Sequence, residues 1–241
     1  MSSYFVGITG ASGHLYAQTL VRALVAAGHE VHVCLTPAGA MVMQHEIGLH
    51  PGPKGNFLGR VIEAWIGPEA LGKVFAHPSE NVGAKPASGT ANLAATILCP
   101  CSMGTMARVA VGFSSNLVER AADVALKEGR TLLCMPRETP LSVIHLENML
   151  TLARMGAVIL PCMPGLYHKP ESVQELVDHL VGKALDRLGV AHSLGKRWQG
   201  LGQEPTEAGI EPPASAGLDS DSSEAGSLAS DPPSSEPTKE R

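Results

Sequence analysis

Long apolar runs are missing from this chain of 241 residues. Its hydrophobic residues come in stretches of about four to eight, far short of the ~20 that cross a bilayer, which excludes an ordinary membrane-spanning helix. The opening MSSYFVGITG also lacks the charged and apolar regions of a secretory signal, so a cytoplasmic protein is expected. Cysteine is sparse and odd in number: Cys34, Cys99, Cys101, Cys134 and Cys162 lie within or just after apolar runs. That placement predicts buried free thiols in a reducing compartment. A basic excess is absent too. Residues 1–199 hold 16 Lys plus Arg against 14 Asp plus Glu, a balance with no electrostatic footprint for nucleic acid. The net charge of −5 comes from residues 200–241, with nine acidic residues, two basic ones and no aromatic. That tail is rich in Pro, Ser and Gly and has too little apolar surface to offset its ordering entropy. Disorder is predicted from about Gly200, leaving one domain over 1–199; a solvated extension and an interaction tail are both open readings. A composition of 44 % hydrophobic and 17 % charged residues excludes a collagenous, coiled-coil or wholly disordered chain.

Within 1–199, short β-rich runs alternate with amphipathic stretches. The runs are YFVGIT (4–9), EVHVCLT (30–36), ATILCP (95–100), TLLCMP (131–136) and AVILP (157–161), all expected to be buried strands. Segments 14–28, 103–111, 117–128, 141–155 and 172–188 carry apolar residues three and four apart and read as helices. Strands apolar on both faces and alternating with helices predict an α/β fold: a Rossmann-like or flavodoxin-like parallel sheet covered on both sides, in three layers. Such sheets bind ligands at the carboxyl ends of their strands, so function belongs in the strand-to-helix loops. Residues 47–90 are less regular, with one further short strand suggested at KVFA (73–76).

The loops carry the chemistry. TGASG, Thr9 to Gly13, opens the first helix, where backbone N–H groups favour an anion or a polar ring edge. It is not G-x-G-x-x-G, and the second strand ends in Thr36 where a nicotinamide enzyme places an acid, so a dinucleotide is disfavoured. A tight turn with Ser12 as a helix cap is the alternative. CSMGTMAR sets Ser102 and Thr105 at another helix start, a phosphate cradle without the P-loop lysine, or else a plain cap. MPRETPLS puts Arg137 and Glu138 directly after a strand, where an anionic ligand, or else a surface ion pair, would satisfy the arginine. PCMPGLYHKP adds Tyr167, His168 and Lys169, and Lys183 follows on the last helix. Together these residues suit a monophosphate held without a metal. Cys99-Pro-Cys101 has no second pair at zinc spacing, His45-Glu46 is not completed to H-E-x-x-H, and no G-x-S-x-G elbow occurs.

Four stretches together, TGASG, CPCSMGTMARVA, NLVERAADVALKEGRTLLCMPRETPLSVIHLENMLTLARMGAVILP and PGLYHKPESVQELVDHLVGKALDRLGV, closely resemble the UbiX-type flavin prenyltransferases. The likeness covers about residues 4–199, fades at 50–85 and is carried most specifically by the order RETP, IHLENM, GAVILP, YH. It implies an enzyme that joins dimethylallyl monophosphate to reduced FMN without metal and releases phosphate. The implied product, prenylated FMN, serves UbiD-type decarboxylases. By resemblance, Gly10, Ala11, Ser12, Thr36, Ser102, Met103, Gly104, Thr105, Arg120 and Arg137 contact FMN. Ser88, Lys127, Arg137, Tyr167 and Lys183 are implied to hold dimethylallyl phosphate, and Ser12, Glu46, Lys127 and Glu138 to take part in catalysis. A homo-oligomer, a dodecamer with active sites at subunit junctions, is implied as well.

The residue types suit this chemistry. Lys127, Arg137 and Lys183 are cations able to stabilise a departing phosphate. Bond formation at flavin N5 and then at C6 calls for an acid and a base: Glu138 with the retained phosphate, and Glu46 with Ser12 near N5. Two departures stand out. Lys183 replaces the usual Arg and loses its bidentate fork, and Val82 lies near where some members carry a large aromatic, which implies a roomier prenyl pocket. With four Phe, three Tyr and two Trp in the chain, that pocket relies on aliphatic walls and the flavin itself. An FMN-dependent decarboxylase of the same fold and a non-catalytic FMN-binding module are the alternatives.

Overall fold

A computed structural model of the chain describes residues 1–198. The expected disordered tail from Gly200 lies outside the described residues. Six parallel strands, β1 (Ser3–Ile8), β2 (Glu30–Leu35), β3 (Val74–His77), β4 (Ala95–Cys101), β5 (Thr131–Pro136) and β6 (Val158–Ile159), form one sheet in the order 3-2-1-4-5-6. Without the four-residue edge strand β3, the order becomes the 2-1-3-4-5 of flavodoxin-like sheets. The described residues also form the helices α1 (His14–Ala26), α2 (Pro37–Ile47), α3 (Leu58–Ile66), α4 (Met103–Ala110), α5 (Leu117–Lys127), α6 (Val143–Arg154) and α7 (Val173–Leu188).

Period-two alternation along the strands sends side chains into two cores. Tyr4, Val6 and Ile8 of β1, with Val31 and Val33 of β2, pack against Leu20 and Leu24 of α1 and Leu180 and Leu185 of α7. Phe5, Leu98 and Leu132 face the opposite way, against Met106 of α4 and Leu117, Val118 and Ala122 of α5. Close packing there depends on Gly7, where an added Cβ would stand 2.7 Å from Val118 Cγ1. Truncating a fully buried residue such as Leu24 to Ala would cost about 2–5 kcal/mol. The three-layer α/β expectation holds.

Four details differ from the sequence expectation. Helix α2 was not anticipated, because its large apolar residues run together at Met41, Val42 and Met43 and mark no face, although its start is marked by Thr36, whose Oγ1 accepts from Gly39 N at 3.1 Å, followed by Pro37. Helix α3 lies in the segment left as irregular, with Leu58, Ile62, Trp65 and Ile66 forming its buried side. Strand β6 is only two residues long and half-buried, because it is the sheet's edge. Helix α6 buries only Leu152, leaving Val143, Ile144, Leu146 and Leu150 exposed. The cysteines are all free, four buried and Cys162 partly so. Burial pushes the Cys34 and Cys162 thiols up to about 12, with Arg137 pulling slightly against it at Cys162. Neither of these two thiols is prepared as a nucleophile by this environment.

Candidate functional site

The strand order reverses between β1 and β4, so α1 and α4 start side by side on opposite faces of the sheet. Buried Thr9, just past β1, ties the two loops together. Its Oγ1 donates to Pro100 O at 2.8 Å and accepts from Ser102 N at 2.7 Å, while its N–H donates to Pro100 O at 3.2 Å. Gly10 brings the loop against α2, since a Cβ there would stand 2.6 Å from Ala38 Cβ.

The two helix starts are filled differently. Gly13, at φ 118°, is the N-cap of α1 and no side chain caps the helix from within; Ser12 is therefore not the cap. Glu46, from the last turn of α2, occupies the place instead. Its carboxylate accepts from Gly13 N at 3.0 and 3.1 Å and from His14 N at 2.9 Å, and the Ser12 hydroxyl nearby also favours its charged form. Burial would raise this carboxyl, but those hydrogen bonds outweigh it and hold Glu46 below the usual carboxylate range. His14 beside it is fully buried, with neither ring nitrogen hydrogen-bonded; burial pulls it down to about 4, against the pull of Glu46. The anion expected at this helix start is the protein's own.

At α4, Ser102 is the N-cap: its Oγ accepts from Thr105 N at 3.3 Å and donates to Thr105 Oγ1 at 3.1 Å, while Met106 N returns to Ser102 O at 3.0 Å. Both hydroxyls thus serve the cap. The N–H groups of Met103 and Gly104, the first two of the helix, keep no internal partner, because the Ser102 cap reaches only the third. Gly104 is exposed, and a Cβ there would find nothing nearer than Arg108 Nη1 at 3.5 Å. The helix is clamped from behind by Arg108, which pairs with buried Glu119 of α5 and donates to Thr105 Oγ1 at 3.4 Å. Glu119 also accepts from Ser115 N and Oγ, each at 2.8 Å. Burial would raise its carboxyl, but these partners hold it low.

Arg137, half-buried past β5, donates from Nε to Ser12 O at 3.3 Å and so bridges to the β1 loop. Glu138 is exposed and accepts from Thr139 N at 3.0 Å. Both line a cleft of about 440 Å³ walled by Leu141, Met149, Cys162 and Met163. Neither residue forms the surface ion pair considered from sequence, among the described residues.

The remaining sequence-predicted residues lie elsewhere. Tyr167 and Lys183 share a bay of about 260 Å³ on the outer side of α7 with His179, Lys196, Arg197 and Trp198. Arg120, in the first turn of α5, pairs with Asp123 at 2.8 Å. Lys127 ends α5 and pairs with Glu128, while Ser88 caps a single turn beside it, where Arg130 donates to Gly89 O at 2.6 Å. This end of α5 leads straight into the start of β5, whereas Ser102 follows the end of β4. The seven residues of β4 put about 20 Å between them.

The chain matches the Flavoprotein family over residues 2–185. The flavin prenyltransferase UbiX of Alkalihalophilus pseudofirmus is 47 % identical to it over 193 residues, 80 % of this chain and 94 % of that protein. This chain belongs to the flavin prenyltransferase family. Two solved structures agree. One, a UbiX protein in complex with FMN and dimethylallyl pyrophosphate, matches with a TM-score of 0.73 at 34 % identity, covering 83 % of this chain and 98 % of that one. The other, a dodecameric FMN-dependent UbiX-like decarboxylase from Escherichia coli O157:H7, gives 0.72 at 38 %, covering 82 % and 100 %.

Of the residues the flavin prenyltransferase likeness points to, the fold gathers Gly10, Ala11, Ser12, Glu46, Thr36, Ser102 to Thr105, Arg137 and Glu138 at the carboxyl end of the sheet. Tyr167 with Lys183, and Ser88 with Lys127, form two further groups. Thr9, Arg108 and Glu119 were not foreseen as site supports. Only burial reveals them, and the one sequence signal was an acid at Glu119 on the apolar side of an amphipathic helix. Among the described residues no three His, Cys, Asp or Glu are grouped to hold a metal ion, and no helix is long and apolar enough to cross a membrane.

Proposed function

We propose that this chain transfers a dimethylallyl group from dimethylallyl phosphate to N5 and C6 of reduced FMN, releasing phosphate and giving prenylated FMN for a UbiD-type decarboxylase. The observation that carries the reading is the crevice between β1 and β4, open at the α4 start and crossed by Arg137. Reduced FMN, when bound, supplies the nucleophilic nitrogen and carbon. The open Met103 and Gly104 N–H groups, with the hydroxyls of Ser102, Thr105 and Thr36, suit the FMN phosphate; Gly10, Ala11 and Ser12 line the ring side. Arg120 is assigned to the same ligand.

Ser12 and Glu46 handle the proton near N5. Glu46 is held ionised by two backbone donors, Gly13 N and His14 N, so it offers the neighbouring Ser12 hydroxyl a fixed acceptor. Glu138, exposed in its cleft beside Arg137, moves the second proton with the phosphate. Arg137, Lys127 and Lys183 balance the charge that develops on the leaving phosphate, a role that cationic side chains fill without a metal. Tyr167 and Ser88 donate to it. Lys127 and Ser88 stand about 20 Å from Ser102 within one chain, so they serve the crevice of another copy. The exposed Val143, Ile144, Leu146 and Leu150 of α6 suit burial in such an assembly, which we take to be a dodecamer. A domain over 1–199 with a solvated acidic tail, working in the cytoplasm, completes the reading.

The test is phosphate release by the anaerobic protein, which the reading requires to depend on both reduced FMN and dimethylallyl phosphate. Release with neither dependence, or none at all, contradicts it and favours a decarboxylase or an FMN-binding module. Lys183→Ala is expected to weaken dimethylallyl phosphate about 10- to 100-fold while leaving FMN affinity within about twofold, by the loss of one charge-assisted contact. Parallel titrations of the two ligands check it.

A further inference from the structure

Tyr167 stands on α7 against three rings. It meets Trp198 edge-on at 5.1 Å and 84°, His179 at 5.3 Å and 83°, and His168 at 5.5 Å and 77°. His168 and His179 are themselves stacked, 4.6 Å between centroids and 22° between planes. His179 belongs to α7 and His168 to the loop that follows β6, so this stack is where the Tyr167 loop lies on the helix. Gly165 permits the approach, since a Cβ there would stand 2.9 Å from Tyr167 Cε1 and 3.2 Å from His179 Nε2.

The stack is made of ring faces alone. His179 is buried, and neither its Nε2 nor either nitrogen of His168 has a hydrogen-bond partner. The carboxylates of Glu175 and Asp178 share a pocket with His168 but accept from Glu171 N and Gln174 Nε2. No hydrogen bond therefore holds a proton on these rings, and two charged imidazoles at this separation repel each other. The charged surroundings come from each packed element. On α7, Lys183 lies one turn after His179, Glu175 one turn before it and Asp178 beside it; the loop adds Lys169 next to His168. The segment that returns along the helix brings Lys196, whereas its Arg197 and His192 are taken up by Asp186 at 2.7 and 3.1 Å. Burial first, then His168 and Lys183, holds the His179 imidazole below its ordinary range. The ring is neutral at neutral pH and takes its proton only on acidification.

We propose that the stacked His168–His179 pair is a positioning element that seats Tyr167 over the bay it shares with Lys183, and that acidification unseats the loop and weakens phosphate binding. This rests on the assignment of Tyr167 and Lys183 to the substrate phosphate. His168 and His179 are not catalytic; they act through Tyr167.

Trp198 is a built-in reporter, because the only other tryptophan, Trp65, is buried in the core. The full chain is titrated from pH 8 to 5 by tryptophan emission at constant helix content, and KM and kcat for dimethylallyl phosphate are followed over the same range. The proposal expects an emission transition below about pH 6.5, the ordinary histidine value. It also expects KM to rise about tenfold across that transition while kcat changes little. His179→Phe keeps a ring face without a titrating nitrogen and should abolish the emission transition and reduce the KM rise to the part set by the substrate phosphate's own ionisation at about pH 6; His179→Ala should raise KM at every pH. A flat wild-type emission and KM profile, or transitions unchanged in His179→Phe, overturns the proposal even if phosphate is released. An emission transition that His179→Phe removes, in a protein that never releases phosphate, supports the seat and counts against the prenyl-transfer reading beneath it.

Discussion

Helices α1 and α4 start side by side at the same reversal of strand order, yet only one of them is open to a ligand. At α1 the first N–H groups already hold the Glu46 carboxylate, brought over from α2. At α4 the capping hydroxyl is local, from Ser102, and it satisfies the third N–H while leaving the first two free. A helix start is an anion site only when the chain does not supply its own anion. The two loops are thus built differently: the one that carries Ser12 has its helix start tied to Glu46, the other keeps two free N–H groups, and Thr9 joins them.

The largest effect is expected from breaking that joint. Thr9→Val keeps the shape and the bond from the Thr9 backbone N–H to Pro100 O but leaves Ser102 N without its partner, at a cost of about 2–3 kcal/mol, with FMN affinity falling alongside. Denaturant unfolding and flavin titration check it. Next is the clamp behind α4. Glu119→Gln removes the buried charge that holds Arg108, for about 2 kcal/mol near neutral pH. The folded Glu119 carboxyl lies below its ordinary value, so its contribution is present above the unfolded value of about 4.3 and is lost as pH falls through the folded one. The unfolding midpoints of variant and wild type should therefore converge in acid.

Glu46→Gln tests the other side of the comparison. Its carboxyl is also held low, so the same sign applies: about 1 kcal/mol of stability above pH 4.3, vanishing in acid. Turnover should fall while FMN affinity falls less than in Thr9→Val; the reverse order would move the phosphate to α1. The smallest change is Ser102→Ala, about 1 kcal/mol from the lost cap, visible in thermal unfolding, with a severalfold weaker grip on FMN.

Much of this was legible beforehand. The parallel sheet, most of its helices and the placing of the site in the strand-to-helix loops follow from apolar runs that alternate with helical period, whereas the strand order that sets TGASG beside CSMGTMAR does not. Other features were hidden, each for a physical reason. Helix α2 carries most of its large apolar residues as the contiguous run Met41, Val42 and Met43, which marks no face, and of these only Met43 is buried, beside Gly39 and Ala40. The bond from Glu46 to Gly13 joins residues far apart in sequence, and no local pattern encodes it. The exposed apolar side of α6 has the right period for a core helix because period does not say whether the covering surface belongs to the same chain. Lys127 and Ser88 illustrate the same point, since resemblance marks them and the single chain keeps them at the far end of the sheet.

The most direct measurement is mass spectrometry of the flavin released after anaerobic incubation of the full chain with reduced FMN and dimethylallyl monophosphate in the presence of a chelator. The account predicts a flavin heavier by one C5 prenyl unit. Tightly bound but unmodified FMN would contradict it, leaving the fold and the crevice in place and the transferase reading without support.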